Sequence, residues 1–168
     1  MAARAPVTAY VGLGANLGDA RATMAWAVQQ LSALPACTRS QVSGLYASAP
    51  WQAQGPDYFN AVLALDVTLT APALWQTLAG LEQVAGRQRP YRHAPRCLDL
   101  DLLFYGQASV QSAVLTLPHP RWHERAFVLQ PLRELAPHWV PPELLQRTAQ
   151  QPCTRVAHAG WVDAALGE

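Results

Sequence analysis

The chain contains no lysine and little charge of either sign. Its twelve basic residues are all arginine and are set against eleven acidic residues, so the formal net charge is only +1. A balance this close to neutral creates no long-range field that would attract nucleic acid. The absence of lysine looks like a coding bias, so a functional arginine has to be identified by its position rather than by its residue type.

Cysteine and long apolar runs are also scarce. The three cysteines, Cys37, Cys97 and Cys153, are odd in number and show no CxxC spacing, which argues against a disulfide framework and a structural zinc site. No apolar run approaches the roughly 20 residues of a membrane-spanning helix, and the N-terminal residues lack the pattern of a signal peptide. We therefore expect a cytoplasmic protein without membrane or nucleic-acid partners.

What the chain does contain is enough apolar sequence for one folded domain over residues 1–168, with 51% hydrophobic residues. Apolar periodicity predicts four strands, at about residues 7–13, 41–48, 58–69 and 96–103. It also predicts one helix that ends before Pro35 and a second, with a buried stripe, that ends at Gly86. The order β-α-β-β-α-β is typical of the ferredoxin-like sandwich, an α+β fold with helices packed on an antiparallel sheet. A short helix or coil interrupted by Pro131 and a C-terminal extension would follow.

The most informative segment is the fourth predicted strand, Arg96-Cys97-Leu98-Asp99-Leu100-Asp101-Leu102-Leu103. Because side chains alternate along a strand, Asp99 and Asp101 should share one face and the intervening leucines the other. Two carboxylates placed in this way repel each other, and a hard divalent cation with oxygen ligands would relieve the repulsion. The alternative is an edge strand with a solvated acidic face.

Arginines and histidines cluster on both sides of this strand. Six of the twelve arginines lie between Arg87 and Arg125, four of them directly before the two aspartates. Residues 119–125 then hold two histidines and two arginines. Arginine suits bidentate phosphate contacts, so together with a divalent cation this set predicts a phosphate-handling site. A solvated loop and surface histidines are the alternatives.

Two shorter motifs lie near the first and third strands. Gly12-Leu13-Gly14 fails as a dinucleotide-binding motif because Leu17 stands where the third glycine would be, and no Gly-Lys-Ser/Thr follows. We expect these glycines to form a tight turn between strand and helix. Tyr58 and Asn60 should share a face, which suits a flat heteroaromatic ring; a core-facing tyrosine is the alternative.

These segments, in this order, resemble the 6-hydroxymethyl-7,8-dihydropterin pyrophosphokinase family of folate biosynthesis. The resemblance covers roughly residues 7–137 and rests on residues 12–19, 56–61, 94–103 and 118–129, with Glu82 and Gly86-Arg87. The family transfers the β,γ-diphosphate of ATP to the hydroxymethyl oxygen of the pterin and releases AMP. The resemblance therefore implies this activity, with ATP as co-substrate, on a ferredoxin-like fold.

The resemblance also implies roles for individual residues. The catalytic residues would be Arg87, Arg96, Asp99 and Asp101. The two aspartates would hold two Mg²⁺ ions that bridge the triphosphate, and the two arginines would close over the phosphates. ATP would be bound by these arginines and by Glu82, Thr116, His119 and Arg125. The pterin would lie between Tyr58 and Phe127, with Asn60 at its edge and with polar contacts around Ser48 and Pro50.

Three positions depart from the family pattern. The residue after Arg96 is usually threonine and is Cys97 here, a frequent tryptophan is His93, and a usual serine is Ala15. None of them replaces a metal carboxylate or a closing arginine, so we expect the activity to survive. Low charge and the absence of an obvious exposed apolar helix favour a monomer.

Two other functions are compatible with a ferredoxin-like fold. A nucleotidyl transferase or cyclase would also use paired aspartates, but its product would be pyrophosphate rather than AMP. A non-catalytic module could bind small ligands or RNA. The aromatic and basic pattern of RNA-binding sheets is absent from the sequence, and the net charge does not suit such a module.

Overall fold

The computed structural model describes residues 2–50, 55–86 and 97–167. Its strands are β1 (Val7–Ala15), β2 (Cys37–Val42), β3 (Leu45–Ser48), β4 (Tyr58–Val67), β5 (Asp99–Tyr105), β6 (Val110–Gln111), β7 (Thr116–Leu117) and β8 (Thr154–Ala157). Its helices are α1 (Ala20–Ser32), α2 (Ala71–Ala85), α3 (Ala126–Leu135), α4 (Pro142–Arg147) and α5 (Trp161–Ala165). Single 3₁₀ turns lie at Trp122–Glu124 and Pro137–Trp139. None of the described helices is long and apolar enough to cross a membrane.

The main sheet has the order β5-β1-β4-β3-β8, and β2 pairs with β4 alongside β3. Each of these pairs is antiparallel. The first strand therefore lies between the third and fourth predicted strands, and the second lies outside the third. This arrangement confirms the predicted α+β, ferredoxin-like sandwich.

The predicted second strand is wrong as a single element, because it divides into β2 and β3 around Ser43 and Gly44. The Ser43 hydroxyl accepts a hydrogen bond from the backbone N–H of Val62 at 2.9 Å and so replaces a carbonyl in the ladder. The backbone N–H of Gly44 donates instead to the Glu134 carboxylate, 3.2 Å away. Backbone groups that bond to side chains cannot continue the strand pairing, and the strand is interrupted there.

Helices cover the two faces of the sheet unequally. On the first face, α1 and α2 bury Met24, Leu31, Leu74 and Leu78 against alternate residues of β1, β4 and β5. On the second face, α3 packs on β3 and β4 and joins Val62 and Phe104 in a smaller apolar cluster. No helix of the described residues therefore covers part of the second face of β1 and β5.

The helix ends follow the sequence signals. The Asp19 carboxylate accepts a hydrogen bond from Ala22 at the start of α1, and the Thr70 hydroxyl accepts one from Ala73 at the start of α2. In the predicted stripe of α2, Leu74 and Leu78 are buried, whereas Leu81 and Ala85 are half-buried beside them.

Pro131 does not interrupt its helix, which corrects the prediction of a helix or coil broken at this residue. A proline removes one backbone hydrogen bond. Pro131 is nevertheless buried, and its neighbours Leu129 and Leu132 pack in the apolar cluster under α3. Burial of this face offsets the lost bond, so α3 is continuous.

Gly12 and Gly14 lie inside β1, which corrects the prediction that they form the turn to the first helix. Strand pairing continues past them on both sides, since Gly14 pairs with Asn60 of β4 and with Asp99 of β5. The turn falls on the next residues, where Gly18 has a φ of 58°. One face of β1 therefore has no side chain at two successive outward positions.

The C-terminal extension is part of the main sheet. β8 pairs with β3, and α5 packs against α1. Trp161 of α5 is buried, and its indole N–H donates to the backbone carbonyl of Ser43 at 2.9 Å. The extension thus covers the break between β2 and β3.

Candidate active site

The two aspartates project from the second face of β5. Leu100 and Leu102 are buried on the opposite face, which confirms the predicted alternation. Asp101 pairs with Gly12 and Asp99 pairs with Gly14 in the neighbouring strand. β5 ends the main sheet, as the solvated-edge alternative supposed, but its acidic face opens into a cavity beside backbone that carries no side chains.

A β-bulge ends the acidic part of the strand. Val11 pairs with Leu102 and Tyr10 pairs with Phe104, so Leu103 is the extra residue in β5. Both Leu103 and Phe104 consequently belong to the apolar cluster of the second face. The polar face of β5 is thereby limited to the two aspartates, with an apolar wall directly behind them.

The cavity next to the aspartates has a volume of about 520 Å³. The predicted site residues that line it are Ser48, Pro50, Tyr58, Asn60, Asp99, Asp101, Arg125 and Phe127. They come from segments that are distant in sequence: β3 and the residues after it, β4, β5 and the start of α3. The fold therefore brings the predicted metal, pterin and phosphate residues around one space.

Asn60 and Ser48 form a fixed polar edge of this cavity. Asn60 is only 4% exposed, and its Nδ2 donates to the Ser48 Oγ at 2.8 Å. A Cβ atom on Gly14 would lie 3.2 Å from the Asn60 Oδ1. The carboxamide therefore has one orientation, in which its nitrogen is bonded to Ser48 and its oxygen lies over Gly14.

A second cavity, of about 280 Å³, lies on the other side of Asp101 and is lined by Thr116 and His119. The backbone N–H of His119 donates to the Leu103 carbonyl at 2.9 Å. The imidazole Nδ1 accepts from the backbone N–H of Arg121 at 3.2 Å, which leaves the ring proton on Nε2. The two cavities share one carboxylate, so groups bound in them would meet at Asp101.

Burial lowers the pKa of His119. The negative charge of Asp101 acts in the opposite direction, and the positive charges of Arg125 and Arg121 add to the lowering. The imidazole is therefore favoured in its neutral form, with Nε2–H as a hydrogen-bond donor.

Arg121 and Glu124 line the first cavity and form an ion pair, with 3.1 Å between Nε and Oε2. Both side chains are at least half exposed, so the pair contributes little to stability. The Arg125 guanidinium lies 5.4 Å from the centre of the Phe127 ring, within range of a cation–π contact. The start of α3 therefore presents a cation and an aromatic ring together.

Glu82 is not among the residues that line either described cavity. Its carboxylate accepts a hydrogen bond from the backbone N–H of Leu100 at 2.7 Å and so ties α2 to β5 between the two aspartates. Its predicted contact with ATP stays a prediction. Arg87 and Arg96, together with His93, lie outside the described residues.

Arg121, one of the arginines in the predicted phosphate-handling cluster, lines the first cavity. Several other lining residues were not predicted from the sequence: Gly12, Gly14, Leu103, Glu124, Val128 and Gln151. The glycines could have been found from their alternation with Val11 and Leu13, which predicts a strand face without side chains. For Gln151, in the C-terminal extension, no local pattern pointed to the site.

Within the described residues, no group of three or more histidine, cysteine, aspartate or glutamate side chains could hold a metal ion. The candidate donor set is therefore the pair Asp99 and Asp101. Mg²⁺ is commonly held by one or two carboxylates, with water and substrate phosphates as its remaining ligands. The pair fits a magnesium ion that arrives with a nucleotide and fits a structural zinc site poorly.

Comparisons with known proteins point in the same direction. The family model for 7,8-dihydro-6-hydroxymethylpterin-pyrophosphokinase (HPPK) matches residues 10–137. A 2-amino-4-hydroxy-6-hydroxymethyldihydropteridine pyrophosphokinase of Synechocystis sp. is 41% identical over 152 residues, which cover 88% of this chain and 78% of the relative. The protein of that name from Methylorubrum extorquens is 43% identical over 133 residues, which cover 79% of this chain and 84% of the relative.

A solved Plasmodium falciparum HPPK-DHPS chain has a similar fold, with a TM-score of 0.61 at 12% identity. The match covers 85% of this chain and 42% of that chain. At this identity the likeness concerns the fold alone.

Proposed function

The chain belongs to the 7,8-dihydro-6-hydroxymethylpterin-pyrophosphokinase family, and on that premise we propose that its reaction takes place in the cavity over β1, β4 and β5. The activity is the transfer of the diphosphate of ATP to the hydroxymethyl group of 6-hydroxymethyl-7,8-dihydropterin, which yields AMP and the pterin diphosphate for folate synthesis. The observation that supports the location is the acidic face of β5 opposite Gly12 and Gly14, in a cavity that also holds the Asn60–Ser48 edge.

Asp99 and Asp101 would hold the metal, which we propose to be two Mg²⁺ ions. When bound, the ions would neutralise charge on the triphosphate and keep it in place. The glycines opposite leave room for phosphate oxygens next to the carboxylates. The chain's own contribution is thus a pair of oxygen ligands and an open floor.

The pterin would lie between Tyr58 and Phe127. Both residues line the first cavity, and the Asn60 Oδ1 lies at its floor. An amide oxygen whose own nitrogen is bonded to Ser48 can accept a hydrogen bond from a ring N–H of the pterin. A rigid polar edge of this kind favours the correct heterocycle over one with a different hydrogen-bond pattern.

The nucleotide would extend from Asp101 towards Thr116 and His119 in the second cavity. His119 would donate from Nε2 to a phosphate oxygen, and Arg125 would supply positive charge from the first cavity. Arg87 and Arg96 remain predicted to close over the phosphates. The acceptor hydroxyl and the β-phosphorus would then meet near Asp101, and positioning with charge stabilisation would supply most of the rate acceleration.

A ³¹P NMR time course with ATP, Mg²⁺ and 6-hydroxymethyl-7,8-dihydropterin tests the reaction. AMP should increase in step with a pterin diphosphate. Free pyrophosphate from ATP would indicate a nucleotidyl transferase instead, and nucleotide binding without turnover would indicate a binding module.

We further propose a cytoplasmic monomer that acts only on small molecules. The support is the near-neutral charge and the fact that the large exposed apolar residues in the described parts of the chain lie on different elements. These residues are Val84 on α2, Val114 in the β6–β7 loop and Val156 on β8. Sedimentation velocity at micromolar concentration should give a single species of 18.3 kDa; a heavier species would contradict the monomer.

A further inference from the structure

A single side chain from the C-terminal extension holds the backbone on both sides of Arg125. The Gln151 Oε1 accepts a hydrogen bond from the backbone N–H of Ala126 at 2.8 Å. The Gln151 Nε2 donates to the backbone carbonyl of Glu124 at 2.9 Å. Those two backbone groups belong to the two peptide units that flank the Cα of Arg125.

This double contact sets the backbone angles of Arg125. Rotation about φ or ψ of a residue turns one flanking peptide unit relative to the other, and one carboxamide bonded to both units opposes either rotation. Arg125 has a φ of −128° and a ψ of 123°, an extended conformation directly before α3. The direction of its Cα–Cβ bond, and hence of the guanidinium, depends on these angles.

Gln151 also substitutes for a missing helix cap. Arg125 stands at the N-cap of α3 but has no side-chain cap hydrogen bond. The backbone N–H groups of Val128 and Leu129 donate to the Arg125 carbonyl, whereas that of Ala126 donates to Gln151. The first turn of α3 is therefore completed by a residue 25 positions later in the chain.

The backbone of Gln151 is itself fixed by a hydrogen bond to a buried turn. Its backbone N–H donates to the carbonyl of Thr148 at 3.0 Å. Thr148 is only 3% exposed, and its hydroxyl donates within hydrogen-bond distance of the carbonyls of Leu144 and Leu145 in α4. The backbone that carries the Gln151 carboxamide is thus fixed by a buried turn, so the carboxamide can hold the backbone of Arg125 in one conformation.

We propose that Gln151 is a positioning residue for the diphosphate transfer, acting through Arg125. The inference rests on the proposed function in one respect, the placement of Arg125 at the nucleotide phosphates. Gln151 lines the same cavity as Arg125 and Phe127, and it lies beyond residues 10–137 that the family model matches. Glutamine suits this position because the two contacts need a donor and an acceptor on one planar group, which a carboxamide provides.

The test compares Gln151→Met with Gln150→Met. Methionine keeps the length of glutamine but makes neither hydrogen bond, and Gln150 is the exposed neighbour of the same residue type. We expect Gln151→Met to weaken binding of α,β-methylene-ATP with Mg²⁺ by about tenfold in calorimetry, and to lower kcat/KM for ATP similarly, as the loss of two hydrogen bonds implies. This analogue is not a substrate, because a carbon atom replaces the oxygen between the α- and β-phosphorus atoms, whose bond to the β-phosphorus the transfer would break. Gln150→Met should match the wild type.

A double-mutant cycle separates positioning from general stability. In the Arg125→Ala background, Gln151→Met should cost less than about twofold in nucleotide affinity, because the group it positions is gone. Gln151→Glu retains an acceptor for Ala126 but no donor for Glu124, so it should lose about threefold. It serves as the second variant if Gln151→Met unfolds, which thermal denaturation of each variant would reveal.

Three outcomes would overturn the proposal. They are a Gln151→Met affinity equal to that of Gln150→Met, a tenfold loss that persists without Arg125, and an Arg125→Ala variant with unchanged nucleotide affinity. The last would also remove Arg125 from the proposed nucleotide site, whereas the first two would leave that site intact. The nucleotide affinity of Arg125→Ala therefore shows whether the proposed nucleotide site fails or only the role of Gln151.

Discussion

Among single residues, the site depends as much on missing side chains as on functional ones. Gly14 pairs with Asn60 on one side and with Asp99 on the other, so it lies between the Asn60–Ser48 edge and the acidic pair. Gly12 and Gly14 are not among the glycines with a positive φ, so their backbone conformation does not require glycine. Their value to the protein is the space that they leave in the cavity.

Gly14→Ala should therefore weaken substrate binding more than it destabilises the fold. The new Cβ would lie 3.2 Å from the Asn60 Oδ1 and would displace the carboxamide by a few tenths of an ångström. We expect pterin affinity to fall about tenfold, as for a lost hydrogen bond to a polar ligand, with a change in unfolding free energy below about 1 kcal/mol. Calorimetry with the pterin and urea denaturation measure the two quantities.

Gly12→Ala is the matched control, because its Cβ would meet the Leu103 side chain at an ordinary 3.6 Å. It should lose clearly less pterin affinity than Gly14→Ala. Equal losses in the two variants would show that the Asn60 contact is not the cause.

The acidic pair gives the largest expected effect on turnover. Asp99→Ala or Asp101→Ala should lower kcat by at least two to three orders of magnitude, about 3–4 kcal/mol of barrier, because each removes a proposed metal ligand. Asp163→Ala, at an exposed position of α5, is the control and should leave kcat unchanged. Near-normal turnover of either cavity variant would contradict the metal assignment.

Among the elements, α3 serves both the cavity and the sheet. Arg125 at its N-cap and Phe127 in its first turn line the cavity. Glu134 near its end accepts hydrogen bonds from the Gly44 N–H and from the Tyr46 hydroxyl, the latter at 2.5 Å. Burial raises the pKa of Tyr46, and the hydrogen bond to Glu134 with its negative charge raises it further. The C-terminal end of α3 is thereby attached to β3.

Tyr46→Phe should destabilise this attachment by about 1.5–3 kcal/mol in urea denaturation, the typical range for a hydrogen bond to a charged group. Because the pKa of Tyr46 is raised on folding, its contribution is present below the unfolded pKa of about 10 and is lost as the pH rises above it. The wild type should therefore lose more stability than Tyr46→Phe between neutral pH and about pH 11.

Glu134→Gln gives a second check on the same contact. An amide oxygen still accepts from the phenol, so this variant should be less destabilised than Tyr46→Phe. Identical pH profiles of Tyr46→Phe and the wild type would show that the hydrogen bond does not contribute.

For the whole molecule, nucleotide binding should stabilise the fold much more with a divalent cation than without one. A ligand that binds the folded state at a hundredfold excess over its Kd adds about 2.7 kcal/mol. We expect α,β-methylene-ATP with Mg²⁺ to raise Tm, and the same nucleotide with EDTA to raise it far less, because the carboxylates would then repel the triphosphate. An equal shift in EDTA would contradict a metal-bridged site.

Local patterns in the chain were enough to specify most of the architecture. The alternation of Asp99 and Asp101 with leucines, the caps at Asp19 and Thr70, and the order of strands and helices all depend on residues close together in sequence. The family motifs added the residues that line one cavity, from Ser48 to Phe127. The roles of these side chains, and the closing arginines outside the described residues, stay predictions.

Only the tertiary structure decided the features in which distant segments meet. The strand break at Ser43 depends on Val62, the unbroken helix through Pro131 depends on packing against the sheet, and Gly12 and Gly14 remain in a strand because β4 and β5 pair with both edges. The Gln151 contacts around Arg125 belong to the same class. Hydrogen bonds and burial between distant residues override local propensity, because an unpaired buried backbone group costs more than a poor local fit.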